Sequence, residues 1–96
     1  MKVQLLDEAE LDLVDGFCFY ETQQSGLGDY FLDSLFSDID SLQLFAGIHR
    51  RHLGFYRLLS KRFPFAIYYR IANNAVNVHA VMDCRQNPER IRERLK

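Results

Sequence analysis

The chain has 96 residues, 48% apolar and 14% aromatic, enough for one small domain with its own core and too apolar to stay disordered. No apolar run approaches the ~18 residues of a membrane span, and the start, Met1 to Asp7, lacks a secretory hydrophobic region, so a cytoplasmic protein is expected. The net charge of −1 conceals a split: residues 1–48 set Lys2 against ten acids, a net −9, and residues 49–96 set eleven bases against three acids, a net +8.

Val3 to Leu6 reads as a first strand. Asp7 suits an N-cap, and Glu8 and Glu10 fall in the first turn, where the helix dipole favours anions. Ala9, Leu13, Phe17 and Tyr20 recur at three- and four-residue spacing, widened by Leu11, Val14 and Cys18, which predicts an amphipathic helix of about four turns. Ser25-Gly26-Leu27-Gly28 breaks it. A second helix, opening at Gly28 or Asp29, places Phe31, Leu32, Leu35, Phe36, Ile39 and Leu42 on one face, with Asp33, Asp38 and Asp40 off that stripe. The two helices form an antiparallel hairpin.

Ala46 to Gly54 is polar and basic and reads as a connection. Phe55–Leu59, Phe65–Ile71 and Val76–Met82 are β-rich. Pro64 suits the first intervening turn, and Asn73-Asn74 signals a hairpin because Asn tolerates positive φ. In the last run Val76, Val78, Ala80 and Met82 alternate with Asn77, His79 and Val81, which predicts one mainly buried face. Asn87-Pro88-Glu89 is a helix start, with Ile91 and Leu95 as apolar contacts. The order β-α-α-β-β-β-α predicts an α+β fold: an antiparallel sheet packed on one face against the N-terminal helical hairpin, plus a short C-terminal helix. Residues 1–96 read as a single domain. Cys18 and Cys84 form no C-x-x-C pair and are expected to be reduced thiols in or near the core.

The stretch Tyr56 to Arg70, with Arg62-Phe63-Pro64-Phe65 and Tyr68-Tyr69, followed by Val76 to Met82 and the turn Asp83-Cys84-Arg85-Gln86-Asn87-Pro88, resembles RelE/ParE toxins of bacterial type II toxin–antitoxin systems. The resemblance covers nearly the whole chain. It implies a cytoplasmic toxin, associated with plasmid stabilisation or stress, that inhibits growth and is neutralised by a cognate antitoxin. RelE-like members cleave mRNA on the ribosome, and ParE-like members inhibit DNA gyrase without nuclease activity. A third expectation is a non-toxic interaction module that keeps the fold. A homodimer and a toxin–antitoxin hetero-oligomer are the assemblies it implies. No membrane partner, cofactor or metal is expected.

RelE-like nucleases carry an arginine after the aromatic that begins the second hairpin strand and a tyrosine near the C-terminus. Here the arginine position falls on Ala66, and no tyrosine follows Tyr69. The ParE-like branch is therefore favoured. The candidate catalytic residues are Arg57, Lys61, Arg62, His79 and Arg85. The candidate target- or antitoxin-binding residues are Arg57, Arg62, Arg70, Arg85 and Arg92. Arg57 lies on a predicted strand, Lys61 and Arg62 at its end and Arg85 just after the last strand; a meander can bring these ends to one side, as a cationic patch for RNA phosphate or a protein target. The alternative for His79 is a packing role inside its strand. His49 and His52 lie three apart with arginines between them and no Cys, Asp or Glu nearby to complete a metal set.

Overall fold

The computed structural model describes all 96 residues. Strand β1 (Lys2–Leu5) leads directly into helix α1 (Asp7–Gln23), whose first turn carries the three expected acids. The N-cap is Leu6 rather than Asp7: its extended backbone offers a carbonyl to the Ala9 and Glu10 N–H groups, and no side chain caps the turn. The helix buries Ala9, Leu13, Gly16 and Tyr20, while Leu11, Val14 and Cys18 remain exposed. Gly16 is required by contact, because a Cβ there would lie 2.4 Å from the Phe31 ring.

Gly26, at φ +90°, caps helix α2 (Leu27–Asp40), which starts slightly earlier than the sequence suggests. The Glu21 carboxylate accepts the Gly26 N–H at 3.1 Å and the Gly28 N–H at 2.9 Å, closing the hairpin. Phe31, Leu35 and Ile39 are buried as expected, but Asp38 joins them. Its burial is compensated by the Ser60 hydroxyl, which donates to Asp38 Oδ2 at 2.7 Å. A single turn, α3 (Leu42–Phe45), follows and buries Leu42.

The stretch expected to be a connection contains a strand, β2 (Arg50–His52). It forms a hairpin with β3 (Phe55–Leu59) through Leu53 and Gly54, both at positive φ. Strands β4 (Phe65–Ala72) and β5 (Ala75–Asp83) are joined by Asn73-Asn74, at φ 53° and 60°. The sheet order is β1-β5-β4-β3-β2. It is mixed rather than antiparallel throughout, since β1 runs parallel to β5 with Val3 beside Val76 and Leu5 beside Val78. The long connection that a parallel pair needs runs through the helical hairpin to β2 at the far edge and back through β3 and β4 to β5.

A bulge in β5 opposite Tyr68/Tyr69 leaves His79 between the residues paired with them, Ala80 and Val78. The bulge changes the phase of the strand. Val76, Val78 and Val81 join the hairpin side of the core with Phe65, Ile67 and Tyr69, whereas Ala80 and Met82 join Ala66, Tyr68 and Phe55 on the opposite face. That second face is covered by helix α4 (Pro88–Arg94) through Ile91 and by Leu95 just beyond it, so helices pack on both faces of the sheet. Asn87 caps α4 by accepting the Glu89 N–H at 2.9 Å. Arg94 ties α4 to α1: its guanidinium meets both oxygens of Asp12, at 2.8 and 2.7 Å, and Glu8 at 2.7 Å. No helix is long and apolar enough to cross a membrane.

Candidate target- and partner-binding surface

Register determines which cations share a face, because directly paired residues project to the same side of a sheet. Arg50 pairs with Arg57, and Arg57 with Tyr68, which in turn pairs with Ala80. This row crosses four strands on the face opposite the helical hairpin. Arg57 is half-buried. Its Nε donates to the Tyr68 hydroxyl at 3.2 Å and its Nη2 to Cys84 Sγ at 3.6 Å. Desolvation disfavours the charged guanidinium, but the Tyr68 and Cys84 contacts outweigh it, and the Arg57 pKa lies above its ordinary value. The His52 ring lies 6.0 Å from the Tyr68 ring. On the same face Arg70 lies over the Phe55 ring at 3.9 Å, a cation–π contact.

Arg85 goes to the other side. It chelates Asp83 through Nε at 3.0 Å and Nη2 at 2.7 Å, and Nη2 also reaches the Tyr20 hydroxyl of α1 at 3.4 Å. The hydrogen bond from Arg85 holds the Asp83 carboxyl below the usual carboxylate range, and the reciprocal contact raises Arg85. Arg57 and Arg85 therefore flank the β5–α4 turn from opposite faces, and Arg85 is neutralised. Lys61 and Arg62 are exposed in the β3–β4 connection, and neither has an ionic partner. Arg92 pairs with Glu89 on α4.

His79 is the bulged residue. Its ring packs edge-on against Phe55 at 5.1 Å, and its pKa is lowered by burial and then by Arg70, so the imidazole is neutral at pH 7. This is a packing position with a cation beside it, poorly suited to holding a proton during acid–base catalysis. His49 Nδ1 hydrogen-bonds the Tyr69 hydroxyl, which also accepts the Gly47 N–H at 2.9 Å. Burial lowers the His49 pKa and raises that of Tyr69, so both are neutral at pH 7. Arg51 lies on the hairpin side, 4.7 Å over the Tyr56 ring, which stacks on Tyr69.

The row thus contains Arg57, as expected, and Arg50, with His52 on the same face; sequence reasoning passed over Arg50 and His52 because it read residues 46–54 as a connection. The available signal was Gly54 two residues after a short basic run, a hairpin turn with Leu in the place usually taken by Asn or Gly. The charge division survives folding. Arg85–Asp83, Arg92–Glu89 and Lys96–Glu93 are bridges within the basic half, and only Arg94 reaches acids of the helical half.

No family profile and no curated protein matches the chain. Among solved structures, a chain of a "Chromosomal ParDE TA system from P. aeruginosa" has a similar structure, with a TM-score of 0.74 and 19% identity over 86% of this chain and 95% of that chain. The chain therefore shares the fold of that ParDE-system chain, as the resemblance in the sequence implies.

Proposed function

We propose that the chain is the toxin of a type II toxin–antitoxin pair, acting in the ParE-like manner: it binds an essential target, DNA gyrase, arrests growth, and is neutralised by a cognate antitoxin. The observation that carries this reading is the structural similarity to a chain of a ParDE system over 86% of the residues. Binding rather than catalysis is favoured by the chemistry of the basic face. The position of the nuclease arginine is Ala66, fully buried beneath α4, and the segment after Tyr69 carries no tyrosine, its Ile91 and Leu95 packing in the core. Arg57 and Arg50 act as recognition cations, with Arg62, Arg70 and Arg92 at the margins. In this reading residues 1–96 act as one cytoplasmic toxin domain, in a hetero-oligomer with the antitoxin.

A second reading, a ribosome-dependent mRNA endoribonuclease, is favoured by the convergence of Arg57, Tyr68 and His52. Induction without antitoxin separates the two. Growth arrest with inhibited supercoiling and intact transcripts is expected; codon-registered transcript cleavage overturns the gyrase reading, and no growth defect overturns both. Arg57→Ala reduces toxicity in this reading, whereas Arg85→Ala has a smaller effect because Asp83 already neutralises it. Colony counts on induction, with circular dichroism to verify folding, measure both.

A further inference from the structure

Helices α1 and α4 pack on opposite faces of the sheet but meet beside β5, past the end of its pairing with β1. Arg94 of α4 reaches Glu8 and Asp12 in the first half of α1, and Arg85, just before α4, reaches the Tyr20 hydroxyl near the end of α1. The two helices therefore run past each other in opposite directions. Between these two ties lies a cavity of about 400 Å³, within the range of about 300–1,000 Å³ typical of small-molecule sites. Its floor is formed by the buried Phe65, Val81 and Met82, and the half-exposed Phe19 ring stands at its side.

The charged groups around this cavity divide into paired and unpaired. Asp12 is held by Arg94, and Asp83 by Arg85. Asp15 follows Asp12 by one turn of α1, and Arg90 precedes Arg94 by one turn of α4. Neither forms a salt bridge, with the other or with any third group. They occupy the next rung after Asp12–Arg94, and that rung is open, with the cavity between its two charges. An anion alone would meet three carboxylates here, Asp12, Asp15 and Asp83, and a cation alone would meet the guanidiniums of Arg90 and Arg94. A neutral apolar molecule would strip water from both free charges without replacing it. The ligand that fits carries both signs and an apolar body.

We propose that this cavity binds a free α-amino acid with an aromatic or large aliphatic side chain. Its ammonium group donates to the Asp15 carboxylate, and its carboxylate accepts from the Arg90 guanidinium, with the Gln86 amide beside it in the lining. The side chain covers the Phe65–Val81–Met82 floor against Phe19. The apolar floor supplies affinity, and the open rung selects for the two charges together. A bound amino acid closes that rung and adds a second clamp between α1 and α4, next to the Asp12–Arg94 bridge. Binding here needs neither a target nor an antitoxin, so it stands or falls separately from the toxin reading.

The test titrates the full chain, followed by amide NMR, with L-phenylalanine, with phenylacetate, which lacks the ammonium group, and with phenethylamine, which lacks the carboxylate. Phenylalanine is expected to bind at least about tenfold more tightly than either analogue, through its additional charge-assisted hydrogen bond. It shifts the amides of Asp12 to Phe19 and of α4, and slows hydrogen exchange in α4. Asp15→Asn weakens phenylalanine and ranks phenylacetate above phenethylamine; Arg90→Gln weakens it and gives the opposite rank. Neither substitution moves the urea midpoint of the free protein by a measurable amount, since both side chains are exposed and without an ionic partner. Lack of saturation by about 10 mM phenylalanine, equal affinity for all three ligands, shifts confined to residues outside the cavity, or a rank of analogues that neither variant changes would each overturn the proposal. The wild-type ligand series decides the question even where a variant fails to fold.

Discussion

The hairpin surface and the sheet surface carry nearly equal and opposite charge, but they present it differently. On the hairpin the carboxylates stand at the rim of an apolar groove, without cations near them in sequence. On the sheet the guanidiniums are attached to aromatic and sulfur groups: Arg57 on Tyr68 and Cys84, Arg70 over Phe55. The two surfaces barely neutralise one another, since Arg94 is the only cation bridging them. Cohesion between the halves therefore comes from the shared apolar layer, in which Phe31 packs edge-on against Phe63 and Phe65 at 5.2 and 5.0 Å. The difference teaches that the charge segregation belongs to the surface rather than to the packing between the halves.

Cutting that shared layer should give the largest effect. Phe31→Ala is expected to cost about 3–5 kcal/mol of stability, read by urea unfolding, because it removes a fully buried ring at the hairpin–sheet junction. Gly16→Ala acts on the same contact from the other side: its methyl would collide with the Phe31 ring, at a cost of about 1–3 kcal/mol. Arg94→Ala tests the single electrostatic bridge. It strips Asp12 of both guanidinium bonds, although Asp12 still accepts the Val81 N–H at 2.9 Å, so a loss of about 2 kcal/mol and faster amide exchange in α4 are expected.

The smallest effect is with pH. His49 and His79 have folded pKa values below the ordinary 6.5, so the unfolded chain binds more protons as pH falls through that value. Stability then declines, and His49→Gln with His79→Gln should flatten this limb in urea titrations across pH 7 to 5.5. Asp83 is also depressed, by Arg85; its contribution is present above the ordinary 3.8 and is lost as pH falls further through the folded value. This pair is surface-exposed, so that second limb is shallow.

Two hairpin turns show how much was legible beforehand. Asn73-Asn74 announces its positive φ angles chemically, and the β4–β5 hairpin was expected where it occurs. Leu53 adopts the same backbone, at φ 53°, without any such signature, and β2 and its Arg50 were missed with it. The two Arg candidates diverged for a similar reason. Nothing local in the turn Asp83-Cys84-Arg85 distinguishes an arginine aimed at a target from one captured by the neighbouring carboxylate and by Tyr20, 65 positions away.

The sequence by itself determined the order of the long elements, the Asn87 cap and the division of charge, because periodicity, capping and composition act over a few residues. Only the tertiary structure decided the parallel docking of β1 on β5, the bulge that moves Val81 to the hairpin side, the second helical cover by α4, and the row Arg50–Arg57–Tyr68. Each of these depends on which strand neighbours which and in what register. Partners distant in the chain decide both, by burying apolar area together and satisfying one another's backbone groups.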